Sequence, residues 1–543
     1  MRIECAYRNL AADGAALLGF LLLGIVLFGW QVIASPTTRL VGVPGDSSAF
    51  VWFIGWWPHS LTAGDNPFDM DAVWAPHGIS AAWATGTPSL SLAAWPLTAA
   101  AGVVVATNVL FLLAPGLASW TAYLLAIEVS GSRLASLPAG FLFGFSAFVS
   151  AHMLGHLNLA FVATLPLLPL IALRVARGRW SVRAGVIAFG CAVGFQLGVS
   201  SELAALATVF GVLVCGIAWL IGRDSAPAIA RIAWAAVPGW VVGGLLAAPL
   251  IWAQIRTDPG GWHPARRRDS QDLLGMVVPD ATHLVAPLHG ISDGFTTSLA
   301  ERGAYISVAG VAILVAVWIV RGSKLSHRIV PLAALLAAVL ALGPVLHVAG
   351  RQLLVPLPSA IFVVTPVYRY AVSGRFCVFL ALAVAIGASL LIAARPRRWW
   401  AAVVIAIACG MVIPNPLSPL RASDGTTPSA IREGLAAPSG MRVIVLPPAS
   451  GMRWQAVNGY RFTQVGGYTG VILPPAYRPW RDVVDGLRGV APLPSAPRLV
   501  AYARAFGADR IVLGPGADGR IASDFADAGW VSTSIGEVVV LTR

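Results

Sequence analysis

Charged residues are scarce in this chain, and that scarcity excludes an ordinary soluble protein of the same length. They make up 11% of the 543 residues, whereas a soluble domain carries about 25%. Apolar residues reach 57% and come in uncharged blocks close to the length that a bilayer core requires, about 20 residues. The composition predicts a mainly α-helical polytopic membrane protein.

Lysine is nearly absent, which changes the meaning of the net charge of +13. Lys324 is the only lysine, so the excess is arginine, and the arginines lie between apolar blocks rather than along one soluble face. A compositional bias explains this better than a nucleic-acid-binding surface. We therefore expect no nucleic-acid partner.

Paired cysteines and internal repeats are also lacking. None of the five cysteines forms a CxxC pair, and four lie in or beside apolar blocks, so neither a disulfide framework nor a zinc site of cysteines is indicated. The sequence shows no repeat of constant period and no inverted repeat of the kind found in transporters.

About eleven apolar segments are long enough to be predicted as membrane spans. They are 14–34, 105–127, 134–150, 157–173, 184–200, 203–221, 232–252, 303–320, 329–346, 376–393 and 399–413. The first is too long for a signal peptide and is read as an uncleaved helix. Pro88–Val104 would be a twelfth, but we expect it to lie along or dip into the outer leaflet.

Arginines mark every second connection between these spans. Clusters occur at 174–183, 223–231, 321–328 and 395–398, whereas the short turns 150–156 and 200–203 contain neither Lys nor Arg. Positive residues favour the cytoplasmic side. The N-terminus is therefore predicted in the cytoplasm and the C-terminus outside, in the inner (plasma) membrane of a bacterium.

Two domains are predicted. Residues 1–413 form the transmembrane domain, with outer loops at 35–104 and 253–302. Residues 414–543 form a small extracytoplasmic α/β domain, because strand-like runs occur at Val443–Leu446, Ile511–Leu513 and Val538–Leu541. Arg498–Phe506 is predicted as a helix.

Asp46 is the most informative single residue, about ten residues after the first span. A carboxylate at the outer mouth of a helix bundle can act as a general base toward an attacking hydroxyl. It can also N-cap a helix that begins at Ser47. The two readings are compatible, because a capped carboxylate is held in a fixed position.

Three stretches together resemble the GT-C superfamily of membrane glycosyltransferases. They are WWPHSLTAGDNPFDMDAVWAPHGIS (56–80) after Asp46, FGFSAFVSAHMLGHLNLAF (143–161) and YRYAVSGRFCVFLAL (368–382). The layout is similar to that of the aminoarabinose and protein mannosyl transferases, and looks closest to the bacterial branch that includes YfhO-like proteins. The resemblance covers most of residues 14–400.

The resemblance implies transfer of a sugar from a polyprenyl-phosphate donor to an acceptor hydroxyl at the outer face, with Asp46 as the base. Many members carry a second acidic residue in the outer turn after the third span, and it sometimes binds a metal. Here that turn, His152–Asn158, has no acid. No cofactor is certain on this basis, and a divalent cation stays open.

Histidines occupy this turn instead. His152 and His156 are four residues apart and would share one face of a continued helix. They could bind a metal with Asp46 or Asp71 as a third ligand, donate hydrogen bonds to a sugar or phosphate together with Asn158, or cap helix carbonyls.

The remaining candidates are charged residues near the predicted outer face. Glu202 could bind sugar, pair with an outer arginine, or lie in shallow contact with water. Arg375 opens an apolar run and must find a partner, and it could hold the lipid phosphate. Arg266, Arg267 and Arg268 are the other phosphate candidates, or they attract anionic lipid headgroups.

The leading hypothesis is an inverting glycosyltransferase that moves a sugar from a polyprenyl-phosphate donor to a glycan, lipid or protein acceptor of the cell envelope. A transporter or flippase of lipid-linked glycans is the first alternative, although the spans have few charges. A non-catalytic scaffold of the same fold is the second.

Overall fold

The computed structural model describes residues 2–257, 270–285, 289–320, 325–365, 368–394, 399–470 and 472–543. Seven helices in these ranges are long and apolar enough to cross a membrane. They are Asn9–Ile33, Val103–Ser130, Arg133–His152, Leu157–Ala176, Val182–Ile221, Arg223–Leu246 and Ser373–Ala394.

These helices account for eight of the eleven predicted spans, because the 40-residue helix Val182–Ile221 takes in two of them. The other three predicted spans correspond to the shorter apolar helices Ser307–Ile319, Ser326–Ala341 and Trp399–Met411. The protein is therefore a mainly α-helical, multi-pass membrane protein, as predicted. The stretch 88–104 contains two short helices, Pro88–Ala93 and Trp95–Ala101, before Val103–Ser130 begins.

The chain divides into two compact units. The helical unit comprises Met1–Trp30, Phe111–Ala248 and His263–Arg421. The α/β unit comprises Gln31–Leu110, Pro249–Trp262 and Ala422–Arg543, so it includes the first loop as well as the C-terminal segment. The domain boundary at residues 413 and 414 stays a prediction.

The central helix of the helical unit is Cys377–Ala394, which is apolar on all sides and buried along almost its whole length. Helices Arg133–Gly144, Ser307–Ile319 and Ser326–Ala341 pack against it. A helix that is hydrophobic all round must be enclosed by protein or lipid. This helix is enclosed by protein, and the groups at its N-terminal end are thereby fixed in place.

Close helix packing depends on glycine at one contact beside this core. A Cβ at Gly144 would lie 1.9 Å from the Ser119 hydroxyl oxygen and 2.4 Å from the Pro115 carbonyl oxygen. Membrane helices use small residues to bring backbones together in this way. The contact fixes the end of Arg133–Gly144, from which the predicted histidine turn continues.

Helix starts in this region use serine caps. The Ser132 side chain accepts from the Ala135 N–H, and Ser181 accepts from the Ala184 N–H. Ser146 similarly caps Ala147–His152 by accepting from the Val149 N–H. Serine is a favoured N-cap because its oxygen satisfies one of the unpaired N–H groups at a helix start.

The strands fall in both units. In chain order they are β1 Arg39–Val41, β2 Asp69–Met70, β3 Ile79–Ser80, β4 Val345–Val348, β5 Arg351–Pro356, β6 Ala422–Asp424, β7 Arg442–Leu446, β8 Thr463–Gln464, β9 Arg510–Leu513, β10 Val531–Ile535 and β11 Val538–Thr542. The antiparallel hairpin β4–β5 belongs to the helical unit.

The main sheet of the α/β unit has the order β10-β11-β9-β7-β8. β7 is parallel to both β8 and β9, while β9, β11 and β10 are antiparallel neighbours. The α/β unit includes the helices Pro44–Ala63, Pro88–Ala93, Trp95–Ala101, Ser429–Arg432, Pro448–Val457, Arg481–Leu487, Ala496–Ala505 and Arg520–Ala526. The three predicted strands and the predicted helix near Arg498–Phe506 are confirmed.

The first loop and the C-terminal segment share backbone hydrogen bonds. β1 pairs with β6, the Gln464 N–H donates to the Ala72 carbonyl, and the Ala75 N–H donates back to the Gln464 carbonyl. The buried Trp52 indole N–H donates to Gln455 Oε1 at 2.7 Å. The first loop is therefore an integral part of the α/β unit rather than a solvated connection.

Candidate functional site

Arg375 lies at the centre of a polar cluster in the helical unit. Its guanidinium forms ion pairs with Glu202 and with Glu301, at 2.5 Å from Nη2 to Glu301 Oε1 and 3.1 Å from Nε to Oε2. All three side chains are at most 16% exposed. The sequence predicted that Arg375 needs a partner, and in the structure its partners are two carboxylates.

A kink in the longest helix places Glu202. Ser200 has extended dihedrals within Val182–Ile221 (φ −159°, ψ 102°), and its hydroxyl accepts from the Leu203 N–H. Ser200 thus ends one half-helix and caps the next, so Glu202 lies in the first turn, where an acidic side chain is favoured. Besides pairing with Arg375, Glu202 accepts the Val372 N–H at 2.7 Å.

Of the roles predicted for Glu202, the structure shows the ion pair with an arginine, and sugar binding stays a prediction.

Glu301 was missed, because in the sequence it is one of several acids in the second loop. It ends the short 3₁₀ helix Leu299–Glu301. Gly303 follows, and a Cβ there would lie 3.0 Å from Cys377 Sγ and from Phe148 Cδ2. This close packing brings the loop, and with it Glu301, against the bundle.

The tautomer of His152 follows from its contacts. His152 Nδ1 lies 2.7 Å from the Phe148 carbonyl oxygen, and because a carbonyl can only accept, Nδ1 carries the proton. His152 Nε2 is buried, has no hydrogen-bond partner among the described residues and lies 3.6 Å from Glu301 Oε2. In a neutral ring, a lone pair would face a carboxylate oxygen, so a proton or a cation is needed between the two atoms.

His156 reaches the same cluster by a different route from the one predicted. The helix does not continue past His152. A turn through Gly155 (φ 152°) follows, and His156 precedes the short helix Leu157–Ala160. The two imidazole rings are nevertheless 5.8 Å apart. Asn158 is buried, and in the described part of the chain no group donates a hydrogen bond to its side-chain oxygen.

His152, His156 and Glu301 could hold a metal ion. Their nearest ligand atoms lie within 4.8 Å of one another. Two ligands at about 2.1 Å from a tetrahedral metal are separated by about 3.4 Å, which is close to the 3.6 Å between His152 Nε2 and Glu301 Oε2. The residues therefore fit a cation. Glu301, from another segment, places an acidic side chain beside the histidine turn.

The charges of the cluster also favour a cation over an anion. Arg375 provides one positive charge against the two carboxylates of Glu202 and Glu301. Burial raises the pKa of the Glu301 carboxyl, but the Arg375 guanidinium and the nearby His152 outweigh it and hold that pKa well below its usual value. The Glu301 carboxylate is therefore ionised, and a further anion beside it would be repelled.

Arg421 supports the histidine helix from a fully buried position. It donates to the Ser150 carbonyl and hydroxyl, to the Thr282 carbonyl at 2.6 Å and to the Asn415 carbonyl, and it stacks on Phe28 at 4.9 Å. Burial lowers its pKa to about 10. Neutral oxygens satisfy this guanidinium, so its role is to tie three segments together.

Asp46 lies in the α/β unit, in the first turn of Pro44–Ala63. The predicted N-cap role is wrong, since the helix begins at Pro44 and Val43 is the N-cap residue. Proline favours the first helical position because its missing N–H would be unpaired there anyway. The carboxylate accepts a hydrogen bond from the Tyr468 hydroxyl. That bond holds the Asp46 carboxylate beside Tyr468.

Tyr468 is itself held by its surroundings. The Arg488 guanidinium lies over its ring at 5.7 Å and over Trp74 at 5.2 Å, and it donates to the Gly467 and Gly470 carbonyls. Asp71, the other acid predicted for a metal or substrate, follows β2 and is exposed. Asp46 and Asp71 thus belong to a different compact unit from His152 and His156.

The predicted phosphate-binding residues Arg266, Arg267 and Arg268 lie outside the residues that the structure describes. Their assignment stays a prediction.

Comparisons with known proteins found similar solved structures. No protein-family model matches the sequence, and no curated protein matches it. The arabinofuranosyltransferase AftD from Mycobacteria has a TM-score of 0.53 at 15% identity, over 98% of this chain and 39% of that chain. This chain therefore spans well under half the length of AftD.

Two further structures match with lower scores. The oligosaccharyltransferase AglB from Archaeoglobus fulgidus, in complex with an inhibitory peptide and a dolichol-phosphate, has a TM-score of 0.48 at 13% identity, over 92% of this chain and 69% of its own. ArnT from Cupriavidus metallidurans, bound to undecaprenyl phosphate, has 0.43 at 13% identity, over 97% of both chains. These scores are too low to carry an argument.

The match to AftD spans nearly the whole of this chain, including both compact units. Identity this low shows a shared fold and not a shared activity. The resemblance noted in the sequence is confirmed at that level: the chain has the GT-C fold of membrane glycosyltransferases.

Proposed function

We propose that this protein is a membrane glycosyltransferase that takes a sugar from a polyprenyl-phosphate donor and transfers it, with inversion, to a hydroxyl of a cell-envelope glycan, lipid or protein. The observation that carries the proposal is the cluster of His152, Glu301, Glu202 and Arg375 at helix ends of a GT-C-type bundle. Buried ionisable groups in a membrane protein are costly and usually serve function.

The chemistry requires one proton acceptor and one stabilised leaving group. The acceptor oxygen attacks the anomeric carbon, the bond from that carbon to the phosphate oxygen breaks, and polyprenyl phosphate leaves with the electron pair. The hydroxyl proton passes to the Asp46 carboxylate. The Tyr468 hydroxyl holds that carboxylate in one orientation, which favours base catalysis because it limits the geometries to be sampled.

A divalent cation would be held by His152, His156 and Glu301. When bound, it would supply positive charge of the kind that metal ions provide in phosphate chemistry. Arg375 keeps Glu301 ionised and holds both carboxylates in place by ion pairs, and so acts on the site through them. Direct phosphate binding by Arg375 stays a prediction, and its two carboxylate partners oppose it.

The side of the membrane is part of the proposal. Arginine-rich connections favour a cytoplasmic N-terminus, and with that orientation Asp46, the histidine turn and the C-terminal segment lie outside. A bacterial inner membrane and a lipid-linked donor in its outer leaflet follow from the same orientation and from the sequence resemblance.

A reconstituted transfer assay tests the proposal. Purified protein in liposomes receives radiolabelled polyprenyl-phosphate sugars and envelope extracts as acceptors. We expect label transfer by the wild type and a loss of about 10²- to 10⁴-fold with Asp46→Asn, the range for a removed general base. Asp65→Asn, a neighbouring exposed acid of the same loop, is the matched control and should transfer normally.

Two results would overturn the proposal. Full transfer by Asp46→Asn would remove the base assignment. Movement of the labelled lipid between leaflets with no transfer to any acceptor would identify a flippase instead.

A further inference from the structure

Five arginines gather at one end of the helical unit, and none of them has a role in the proposed sugar transfer. They belong to the last turn of one helix, the connection that follows it and the beginnings of the next two long helices. This arginine cluster consists of Arg174, Arg177, Arg179, Arg183 and Arg231.

Close helix packing brings these arginines together. A Cβ at Gly185 would lie 2.6 Å from Val175 Cγ2 and 2.9 Å from Ala235 Cβ, so three helices meet at this glycine, as small residues allow in membrane proteins. In each of the three helices, an arginine lies within four residues of this contact. A Cβ at Gly178 would lie 3.9 Å from Arg231 Nη1, so that guanidinium lies beside the connection that carries the other arginines.

One buried carboxylate, Glu128, orders three members of the cluster. Its Oε1 accepts from Arg177 Nη1 at 2.8 Å, and its Oε2 accepts from Arg179 Nη1 at 2.9 Å and lies 3.6 Å from Arg174 Nε. Positive charge in the connections is enough to orient a membrane protein, and a buried acid adds nothing to that effect. Glu128 instead holds the guanidinium groups in one arrangement, as a binding site requires.

The arginine cluster keeps a large excess of positive charge. Three guanidinium groups against the one carboxylate of Glu128 leave two positive charges, and Arg183 and Arg231 add two more. Both are exposed, and among the described residues no acidic side chain pairs with either of them. Guanidinium groups match the oxygens of a phosphate in geometry as well as charge, so the complement of this cluster is a phosphate group.

The surroundings of the cluster are those of a membrane surface. Arg174 lies over the ring of Trp180 at 5.0 Å, and Trp234 is exposed on a neighbouring helix. Tryptophan favours the headgroup zone of a bilayer. Farther along the same helices, Ile187 and Val237 are exposed apolar residues, so the surface that faces lipid chains begins directly beside the arginines. A phosphate at this height is that of a lipid headgroup.

The arginine cluster is separated from the proposed catalytic groups by the thickness of the bilayer. Residues 182–199 form the first half of the longest helix, up to the kink at Ser200. This half rises roughly 27 Å at 1.5 Å per residue, close to the hydrocarbon thickness of about 30 Å. Arg183 lies at one end and Glu202 just beyond the other. A lipid bound by the arginines is therefore distinct from a donor at the Arg375 cluster.

We propose that the arginine cluster binds the phosphate headgroup of an anionic phospholipid, in the leaflet predicted to face the cytoplasm. The headgroup offsets part of the excess charge and ties the ends of three helices together. Since no residue of the cluster takes part in the proposed sugar transfer, failure of this proposal leaves that function standing.

Competition binding to the immobilised full-length protein in detergent tests the proposal, with radiolabelled dioleoylphosphatidylglycerol as the probe. Unlabelled phosphatidylglycerol should displace the probe at concentrations at least tenfold lower than dioleoylphosphatidylcholine. The double variant Arg183→Gln with Arg231→Gln leaves the ion pairs of Glu128 in place. It should bind the probe about 25-fold more weakly, since each basic residue near a membrane surface contributes about fivefold to the attraction of anionic lipid. Each single variant should lose about fivefold, which keeps the test available if the double variant does not fold.

A matched double variant, Arg223→Gln with Arg328→Gln, removes the same charge from exposed positions on the same predicted membrane face. It should bind the probe as the wild type does. Inorganic phosphate at constant ionic strength should not displace the probe, because the site takes a lipid and not a soluble anion. Equal affinity for the two lipids, equal losses in the two double variants, or displacement by inorganic phosphate would overturn the proposal.

Discussion

Two arginines, one in each compact unit, are held in opposite ways. Arg375 in the helical unit is paired with two carboxylates, Glu202 and Glu301. Arg488 in the α/β unit donates to backbone carbonyls and stacks between Trp74 and Tyr468. The first arginine is matched by acidic side chains, whereas the hydrogen bonds of the second, within the described part of the chain, go to neutral carbonyl oxygens.

This difference separates the chemistry that each region can perform. A cluster with excess negative charge attracts a cation, and His152 Nε2 faces Glu301 as a metal or proton would require. We therefore expect the helical unit to bind a cation, whereas Arg488 serves to hold the segments around Tyr468 together.

The largest effect should come from deleting the two guanidinium groups. Arg375→Leu leaves two buried carboxylates without a counter-charge, and we expect it to lower the free energy of unfolding by about 3–5 kcal/mol. Arg488→Leu loses hydrogen bonds to carbonyls, and we expect it to lower the free energy of unfolding by about 1–3 kcal/mol. Unfolding in mild detergent, followed by circular dichroism, measures both. A greater loss for Arg488→Leu would contradict the comparison.

Metal content should distinguish the two carboxylates around Arg375. Glu301→Gln removes a candidate ligand, so the affinity of the protein for a divalent metal should fall about 100-fold. Glu202→Gln removes a charge that does not belong to the candidate ligand set, and its effect should stay below about tenfold. Dialysis against defined concentrations of the metal, followed by mass spectrometry of the metal that stays bound, gives the affinities of both variants. Equal losses would mean that charge alone, and not ligation, holds the cation.

A smaller effect is expected from the hydroxyl that holds Asp46. Tyr468→Phe keeps the ring under Arg488 but removes the hydrogen bond to the carboxylate. We expect kcat for sugar transfer to fall about tenfold with KM unchanged, because orientation and not substrate binding is lost. Steady-state kinetics in liposomes measures this. An unchanged kcat would show that Asp46 needs no support from Tyr468.

Local patterns predicted the helices and strands well. Membrane spans are long uncharged blocks, and the strands β7, β9 and β11 are short runs of branched apolar residues. Both signals are local, because each depends only on residues that are neighbours in the sequence. The start of the Asp46 helix was predicted wrongly because Asp46 was favoured as a cap, although Pro44 is itself a typical first residue.

The polar cluster could not be predicted in the same way. Arg375 meets Glu301 across 74 positions and Glu202 across 173, and no periodicity connects residues at such separations. The one usable signal was physical: a charge that opens an apolar run needs a partner. That signal predicted a partner for Arg375 but not its identity. The kink at Ser200 that orients Glu202 had no signature in the sequence beyond two adjacent serines.

The configuration of the transferred sugar tests the central claim most directly. Purified wild-type protein is given a polyprenyl-phosphate sugar of known anomeric configuration, and the product is analysed by nuclear magnetic resonance. A single displacement with Asp46 as base predicts the inverted anomer and one free polyprenyl phosphate for each sugar transferred. A product with the donor's configuration, or release of the lipid phosphate without any glycosylated acceptor, would contradict it.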